Sequence, residues 1–397
     1  MFRKRTIRDV DVRGKRALVR VDFNVPLSEG TVTDDTRVRA ALPTIRFLID
    51  HGARVVLMSH LGRPKGEPDP RYSLRPVRRV LQRLLGRNVV FIDQTVGPEA
   101  EEAVSRMVDG EVLMLENVRF NPGEKANDPA FAARLAALGD LYANDAFGAA
   151  HRAHASTEGV AHLLPAVAGF LLAREVETLT DMLSEPQRPF TAILGGSKVS
   201  DKLGVIDKLL DRADSLLIGG GMCFTFLVAR GIGVGRSIVE EDWVERAGEM
   251  LAKAAERRVD VMLPVDFVVA TEMAEDVSTQ VCGREEIGID QMGLDIGPTT
   301  VELYKGAVAD ARTIFWNGPM GVFEMKPFEA GTREIATAVA RNTRAVSVVG
   351  GGDSVAALRK FDLEERVTFV STGGGASMRL LEGAPLPGVE ALSDKEG

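Results

Sequence analysis

Along the 397-residue chain, short unbroken apolar runs alternate with longer stretches whose apolar residues recur every three or four positions. The runs at 16–21, 54–58, 88–92, 111–115 and 141–144 predict strands, with helices at 36–50, 74–85 and 128–138. The rhythm resumes with predicted strands at 190–194, 215–218, 260–263, 313–316, 345–349 and 367–370. Helices are predicted near 201–210, 240–257, 328–341 and 375–381. Strands that are apolar throughout are buried on both faces, as in parallel sheets covered by helices. The chain is too long for one ordinary core. The pattern therefore predicts an α/β fold of two Rossmann-like domains, each a parallel β-sheet flanked by helices. Residues 169–183 have helical periodicity and 184–189 read as a loop. A hinge helix over 169–185 would join an N-terminal domain, 1–168, to a C-terminal domain, 186–383. No sequence repeat relates the halves.

Composition narrows the class. Hydrophobic residues make up 45% and charged residues 27% of the chain, as in soluble globular proteins. Two cysteines, Cys223 and Cys282, cannot build a disulfide framework and lack metal-ligand spacing. They fit a reducing compartment and predict a cytoplasmic protein. The basic N-terminus, MFRKRTIRDVDV, has no apolar core and predicts no secretory leader. No apolar run approaches the roughly 20 residues of a bilayer span. The net charge of −8 argues against nucleic acid as a partner. Charge is uneven, however. Residues 1–170 hold 25 Lys/Arg against 21 Asp/Glu, and 171–397 hold 24 against 36. Either one half handles an anion, or solvated faces differ by chance.

The candidate chemistry sits just after predicted strands, where open parallel sheets bind ligands. In the first half these positions carry Asp22, Phe23 and Asn24, then His60, Leu61, Gly62 and Arg63, then Arg119, then Arg152 and His154. Arg37 opens the first predicted helix. Arginine pairs bidentately with carboxylate and phosphate. Any single one reads most simply as a surface ion pair. Four at equivalent strand ends, with His60 and His154, read as a cup for a small polyanion. Asp22 and Asn24 either accept hydrogen bonds from a sugar-like hydroxyl or cap the strand-end turn.

The second half offers glycine clusters instead: Gly195–Gly196, Gly219–Gly221, Gly350–Gly352 and Gly373–Gly375. Glycine permits close approach of a ligand to the backbone, and helix N-termini present free N–H groups to phosphate. One such turn is explained by tight packing. Four in one domain point to a nucleotide-sized site. Asp353 and Ser354 follow the third cluster, and Asp353 reads either as a Mg²⁺ ligand or as a helix N-cap. The stretch GGSKVSDK (195–202) carries lysine in a strand-to-helix turn but lacks the GK[ST] of a P-loop. Lys198 and Lys202 would share a face if the helix began near 198. No GxGxxG with a following ribose-binding acid succeeds the first strand, which argues against a dinucleotide-dependent dehydrogenase. A non-catalytic nucleotide-binding regulator would not need the arginine cup.

Taken together, the motifs resemble the phosphoglycerate kinase family. They are VRVDFNVP (19–26), MSHLGRP (58–64), LENVRF (115–120), HRAHAST (151–157), GGSKVSDK, WNGPMGVFE (316–324), GGGDS (350–354) and STGGGAS (371–377). They follow the family's order over nearly the whole chain. The resemblance implies a phosphotransferase with a carboxyl group as acceptor, transferring phosphoryl reversibly between 1,3-bisphosphoglycerate and ADP in glycolysis and gluconeogenesis. Transfer would be in line, after hinge closure, without a general base. It implies Mg²⁺ with ATP or ADP as cofactor, no nucleic-acid or membrane partner, and a monomer. Asp22, Phe23, Asn24, Arg37, His60, Leu61, Gly62, Arg63, Arg119, Arg152 and His154 would bind 3-phosphoglycerate or 1,3-bisphosphoglycerate. Gly195, Lys202, Gly219, Gly293, Asn317, Glu324 and Gly351–Ser354, which includes Gly352, would bind nucleotide, with Asp353 on the metal. Arg37, Lys198, Gly373, Gly374 and Gly375 would act on the transferring group. The tail, 384–397, would return to the N-terminal domain. Ser197 stands where the family often has alanine, Ala149 where it often has threonine, and LLARE (171–175) where an acidic–basic pair is more usual. These touch no proposed phosphate ligand but put hinge energetics in doubt.

Overall fold

The structure, a computed structural model, describes residues 2–395. The chain divides into two units, residues 1–178 with 384–397, and residues 179–383. The first is built on strands β1 (Arg16–Arg20), β4 (Arg54–Met58), β5 (Val90–Ile92), β6 (Val112–Leu115), β7 (Leu141–Asn144) and β8 (Ala166–Ala168). A two-stranded hairpin, β2 (Leu27–Ser28) and β3 (Thr31–Val32), precedes helix α1 (Thr36–Asp50). Helices α2 (Arg75–Leu85), α3 (Pro98–Ser105) and α4 (Pro129–Ala136) make further crossovers. The six main strands form one parallel sheet in the order β5-β6-β4-β1-β7-β8. Central β1 is wholly buried at Ala17, Leu18 and Val19.

Helix α5 (Phe170–Ser184) starts in the first unit, and the division falls within it. Its first turn is fixed by side chains of the first unit. Asp145 accepts the N–H of Leu171 at 2.8 Å, and Thr44 on α1 accepts that of Phe170 at 2.9 Å. These satisfy donors that a helix start leaves orphaned. Burial pushes the Asp145 carboxyl up to about 7. Gly169 is obligatory here, because a Cβ would lie 2.1 Å from Asp145 Oδ1.

The second unit holds β9 (Phe190–Leu194), β10 (Ser215–Ile218), β11 (Asp260–Met262), β12 (Asp266–Ala270), β13 (Gln280–Gly283), β14 (Met292–Ile296), β15 (Thr313–Asn317), β16 (Val346–Gly350) and β17 (Phe369–Val370). Six of these make a parallel sheet, β11-β10-β9-β15-β16-β17. That is the strand order of the dinucleotide-binding fold, with its switch point between β9 and β15. The first unit follows a different order, so the halves share architecture but not topology. Helices α6 (Leu203–Leu209), α7 (Met222–Ala229), α8 (Val244–Arg257), α9 (Pro298–Asp310), α10 (Ala330–Arg341), α11 (Gly352–Lys360) and α12 (Gly375–Leu381) complete the unit.

Several elements depart from the sequence reading. Strands β12, β13 and β14 form a separate antiparallel sheet that was not anticipated. Half-exposed β13, QVCG, lacks the apolar run that marks the parallel strands. Helix α7 was also missed: Met222 through Leu227 are all buried, so no polar face gives it a helical period. The helix predicted at 201–210 begins only at Leu203, with Lys202 at its N-cap. Lys198 therefore lies in the preceding turn, and the shared helical face of Lys198 and Lys202 is not formed.

Residues 384–397 belong to the first unit. The amide of Gly388 donates to Ala150 O at 2.9 Å, and Asn144 Nδ2 donates to Gly388 O at 2.9 Å. Ser393 N–H reaches Ala166 O at 3.0 Å, while Arg5 N–H reaches Ser393 O at 2.8 Å. Asn144 also accepts the Ala146 N–H at 3.1 Å, from a wholly buried position. Asn144→Ala takes the side-chain partner from Gly388 O and from the Ala146 N–H. It should lower stability by about 2–4 kcal/mol and expose the tail to proteolysis, as read by denaturant unfolding and mass spectrometry of limited digests. Unchanged stability would refute the assignment of this side chain as the tail's anchor.

Candidate active site

In the first unit, the carboxyl ends of β1, β4, β6 and β7 gather a cluster of cations. The buried Asp22 carboxylate pairs with Arg37 on α1, and its Oδ1 also accepts Asn24 N–H at 3.3 Å. Asn24 Oδ1 accepts the Gly62 N–H at 2.8 Å, and Arg119 donates to Gly62 O at 2.7 Å. Gly62 has φ of +60°, and a Cβ there would lie 2.3 Å from the Tyr72 ring, so only glycine fits. Local caps thus account for part of what Asp22 and Asn24 do.

The electrostatics of this cluster are those of a site waiting for negative charge. Burial, with Arg20 and Arg152 nearby, pulls the Arg119 guanidinium down to about 10. Its Nε is buried and has no partner. Burial, then Arg20, Arg119, Arg37 and Arg152, hold His60 well below the usual imidazole range. Burial and neighbouring Arg119 and Arg20 put His154 at about 4. Both histidines are neutral at pH 7, and the cluster has more cations than nearby carboxylates can balance.

Not every predicted residue joins it in the same way. Arg152 is exposed, and its Nε lies 3.0 Å from His151 Nε2. Arg63 is exposed with no hydrogen bond or ion pair among the described residues. The side chains of Phe23 and Leu61 are buried in the core, so only their main chains face outward chemistry. Sequence reasoning missed Arg20, which is 1% exposed and sits at the end of β1. The signal was available: of the two arginines in β1, Arg20 is the one flanked on both sides by valine, at the carboxyl end of the strand.

In the second unit, the ends of β9, β15 and β16 are stitched together. Lys202 Nζ donates to Asn317 O at 3.1 Å and bonds its Oδ1, while Asn317 Nδ2 donates to Gly350 O at 2.9 Å. The buried Ser354 hydroxyl accepts Gly318 N–H at 2.5 Å. A Cβ on Gly195 would sit 2.0 Å from Pro319 O, one on Gly219 2.6 Å from Met320 Sδ, and one on Gly293 2.4 Å from the Phe224 ring. Burial pulls the Lys202 ammonium down to about 8, against the pull of Asp353 and Asp201. That shift, from 10.5, is on the order of 3 kcal/mol against its charged form.

Beside this junction is a cavity of about 540 Å³ lined by Gly196, Gly220, Phe224, Ile238, Met273, Gly293, Glu324 and Asp353, among others. Of the predicted nucleotide residues, Gly293, Glu324 and Asp353 line it; Asn317 ends β15, Lys202 and Gly351 cap the starts of α6 and α11, and Gly352 and Ser354 lie in the first turn of α11. Gly351 takes φ of +92° at the N-cap of α11, and Asp353 lies in that helix's first turn. Asp353 is exposed and has no hydrogen-bond partner among the described residues, so it is not the N-cap. Asp295, another lining residue that the sequence reading missed, is pushed up to about 8 by burial. Lys198 is exposed and carries no hydrogen bond among the described residues. Gly373 N–H is already given to Ser371 Oγ at 3.2 Å, which leaves Gly374 and Gly375 as the better backbone donors of that turn.

An anion that enters the cation cluster should stabilise the free protein. Millimolar inorganic pyrophosphate should raise the unfolding midpoint of the first unit, and Arg119→Met should remove most of that gain. A midpoint indifferent to pyrophosphate in differential scanning calorimetry would contradict the charge imbalance described above.

Known proteins resemble this chain over nearly its whole length. The family model for phosphoglycerate kinase matches residues 7–384. A phosphoglycerate kinase of Rubrobacter xylanophilus is 60% identical over 393 residues, covering 99% of both chains. One from Chloroflexus aggregans is 58% identical over 398 residues, covering 99% of this chain and all of its own. Among solved structures, phosphoglycerate kinase from Coxiella burnetii aligns over 98% of both chains with a TM-score of 0.89 and 43% identity. That from Pyrococcus horikoshii aligns over 98% of both chains with a TM-score of 0.86 and 34% identity. With a family model spanning most of its length and relatives near 60% identity, the chain belongs to the phosphoglycerate kinase family.

Proposed function

We propose that this protein transfers a phosphoryl group reversibly between 1,3-bisphosphoglycerate and ADP, giving 3-phosphoglycerate and ATP, in glycolysis and gluconeogenesis. The observation that carries this reading is the gathering of Arg20, Arg37 and Arg152 about His60 and the buried Arg119, whose unpartnered Nε is suited to an anionic substrate. Arg37, Arg63, Arg119 and Arg152 bind the phosphate and carboxylate of the glycerate. Asn24 and Asp22 supply acceptors, and His60 and His154 contribute neutral polar contacts. The nucleotide occupies the second unit. Its base lies in the cavity flanked by Phe224, Ile238 and Met273, and its phosphates lie toward Lys202 and the turn at Gly351–Gly352.

The acceptor oxygen belongs to a carboxylate, which is already ionised at pH 7. No base is needed, and the neutral histidines need not move a proton. What the protein must do is hold two anionic reactants in line and balance the charge on the transferring group. Lys198, with Arg37 and the amides of Gly374 and Gly375, serves that group. Each such contact contributes about 3–4 kcal/mol in a water-excluded site. Because the two reactants bind different units, turnover requires the units to bring them together and exclude water.

The residues fit a nucleotide-borne Mg²⁺. Asp353 offers one exposed, unpartnered carboxylate at the cavity wall, which suits an ion otherwise held by phosphate oxygens and water. No cluster of three or more His, Cys, Asp or Glu that could hold a metal ion is found among the described residues. When bound, the ion neutralises charge on the phosphate oxygens. No helix among the described residues is long and apolar enough to cross a membrane. With two unpaired cysteines, this supports a cytoplasmic enzyme, and we take it to act as a monomer on small molecules.

A coupled assay for ATP formation from 1,3-bisphosphoglycerate and ADP tests the whole reading. Lys198→Ala should lower kcat by about 10²–10³-fold and leave ADP affinity within a few-fold; unchanged turnover would remove Lys198 from the chemistry. Arg63→Ala should raise the KM for 3-phosphoglycerate and spare that for ATP. Equal losses for both substrates would argue against the division of binding between the units.

A further inference from the structure

We infer that a buried hydrogen-bond chain, Glu124–Ser156–Arg20, positions His60 as the tautomer protonated on Nε2, so that it meets the substrate as a neutral donor. The inference rests on the proposed placement of phosphoglycerate in this cup, but the tautomer itself can be read without any ligand.

Each link has one direction. Arg20 Nε donates to Ser156 Oγ at 2.8 Å, and one terminal nitrogen donates to Val21 O at 2.5 Å. The other terminal nitrogen lies 3.0 Å from His60 Nδ1. A guanidinium has only donors. Nδ1 must therefore be the acceptor, and the single ring proton of neutral His60 resides on Nε2. Arg20 cannot swing away, because Ser156 holds it from behind. The Ser156 hydroxyl, already accepting from Arg20, donates to Glu124 Oε1 at 2.7 Å, and its amide donates to Oε2 at 3.0 Å. Tyr142 Oη donates to Ser156 O at 2.9 Å and fixes the same loop. Glu124, Ser156 and Tyr142 are wholly buried.

Among the described residues, the His60 ring makes no other hydrogen bond. The Asp22 carboxylate is 3.9 Å from Nδ1, too far for a hydrogen bond. The remaining charged groups acting on His60 are Arg119, Arg37 and Arg152, and all of them oppose a second proton. The result is a directional donor that adds no charge to an already cationic cup. Ser156 and Glu124 act through Arg20 and are positioning residues.

Long-range ¹⁵N–¹H correlation on histidine-labelled protein, with His60→Gln for assignment, tests this. At about pH 7 the ligand-free protein should show His60 Nδ1 as the bare nitrogen and Nε2 as the protonated one. A proton on Nδ1, or on both nitrogens, would overturn the inference. In Arg20→Met the ring should become a mixture of tautomers and titrate closer to the ordinary imidazole range. The KM for 3-phosphoglycerate should rise about tenfold, the worth of one lost hydrogen bond, with the KM for ATP within about twofold. Ser156→Ala, a milder change, should move the tautomer in the same direction. An unaltered ring in both variants would overturn the role of the chain. A fixed Nε2–H tautomer in a protein without phosphoglycerate turnover would refute the substrate instead.

Discussion

A guanidinium sealed inside the first unit sets the terms for everything around it. Arg20 is 1% exposed, and burying a charge costs several kcal/mol unless partners repay it. Glu124, reached through Ser156, supplies that repayment on one side only. On the other side Arg20 adds to the field of Arg119, Arg152 and Arg37. A core built this way cannot relax its own cations fully. Burial first, and then this field, keep His60 and His154 neutral, and the Nε of Arg119 has no partner.

The second unit solves the opposite problem. Here the backbone must come close to a ligand and to itself, and side chains are removed to allow it. Gly195 and Gly219 pack against the turn carrying Gly318, Pro319 and Met320, at distances where a methyl group would collide. Lys202 is held down against Asn317 and loses part of its charge preference to burial. A polyphosphate would restore what burial removes. The two units thus differ at their strand ends: one crowds arginines, the other clears space.

Much of this was legible in the sequence because parallel sheets write themselves plainly. Fully buried strands such as β9 and β15 appear as largely apolar runs, and their ends hold the chemistry. The antiparallel sheet was not legible, since β13 is half exposed and polar. Helix α7 was hidden for the reverse reason, being apolar all round. At the site, residue types were readable but their engagements were not. Ser354 and Gly373 spend their polar groups internally, and Phe23 and Leu61 turn their side chains inward. The stretch from Gly195 to Lys202 was read as a strand-to-helix turn, with Lys198 and Lys202 on one face only if the helix began near 198; the helix waits until Leu203. Arg20 escaped notice because a strand residue is judged by its neighbours, all of them apolar.

The returning tail has a consequence for how the chain is made. Residues 384–397 belong to the first unit yet follow the whole of the second in sequence. As the chain emerges from the ribosome, the second unit is contiguous and has all of its own residues once Gly383 is out. The first unit, though begun earlier, still lacks the segment that meets Ala150, Asn144 and Ala166. Domains ordinarily mature in the order of synthesis. In this protein the half that emerges first is the half completed last, and its final hydrogen bonds wait until the whole of the second unit has been made.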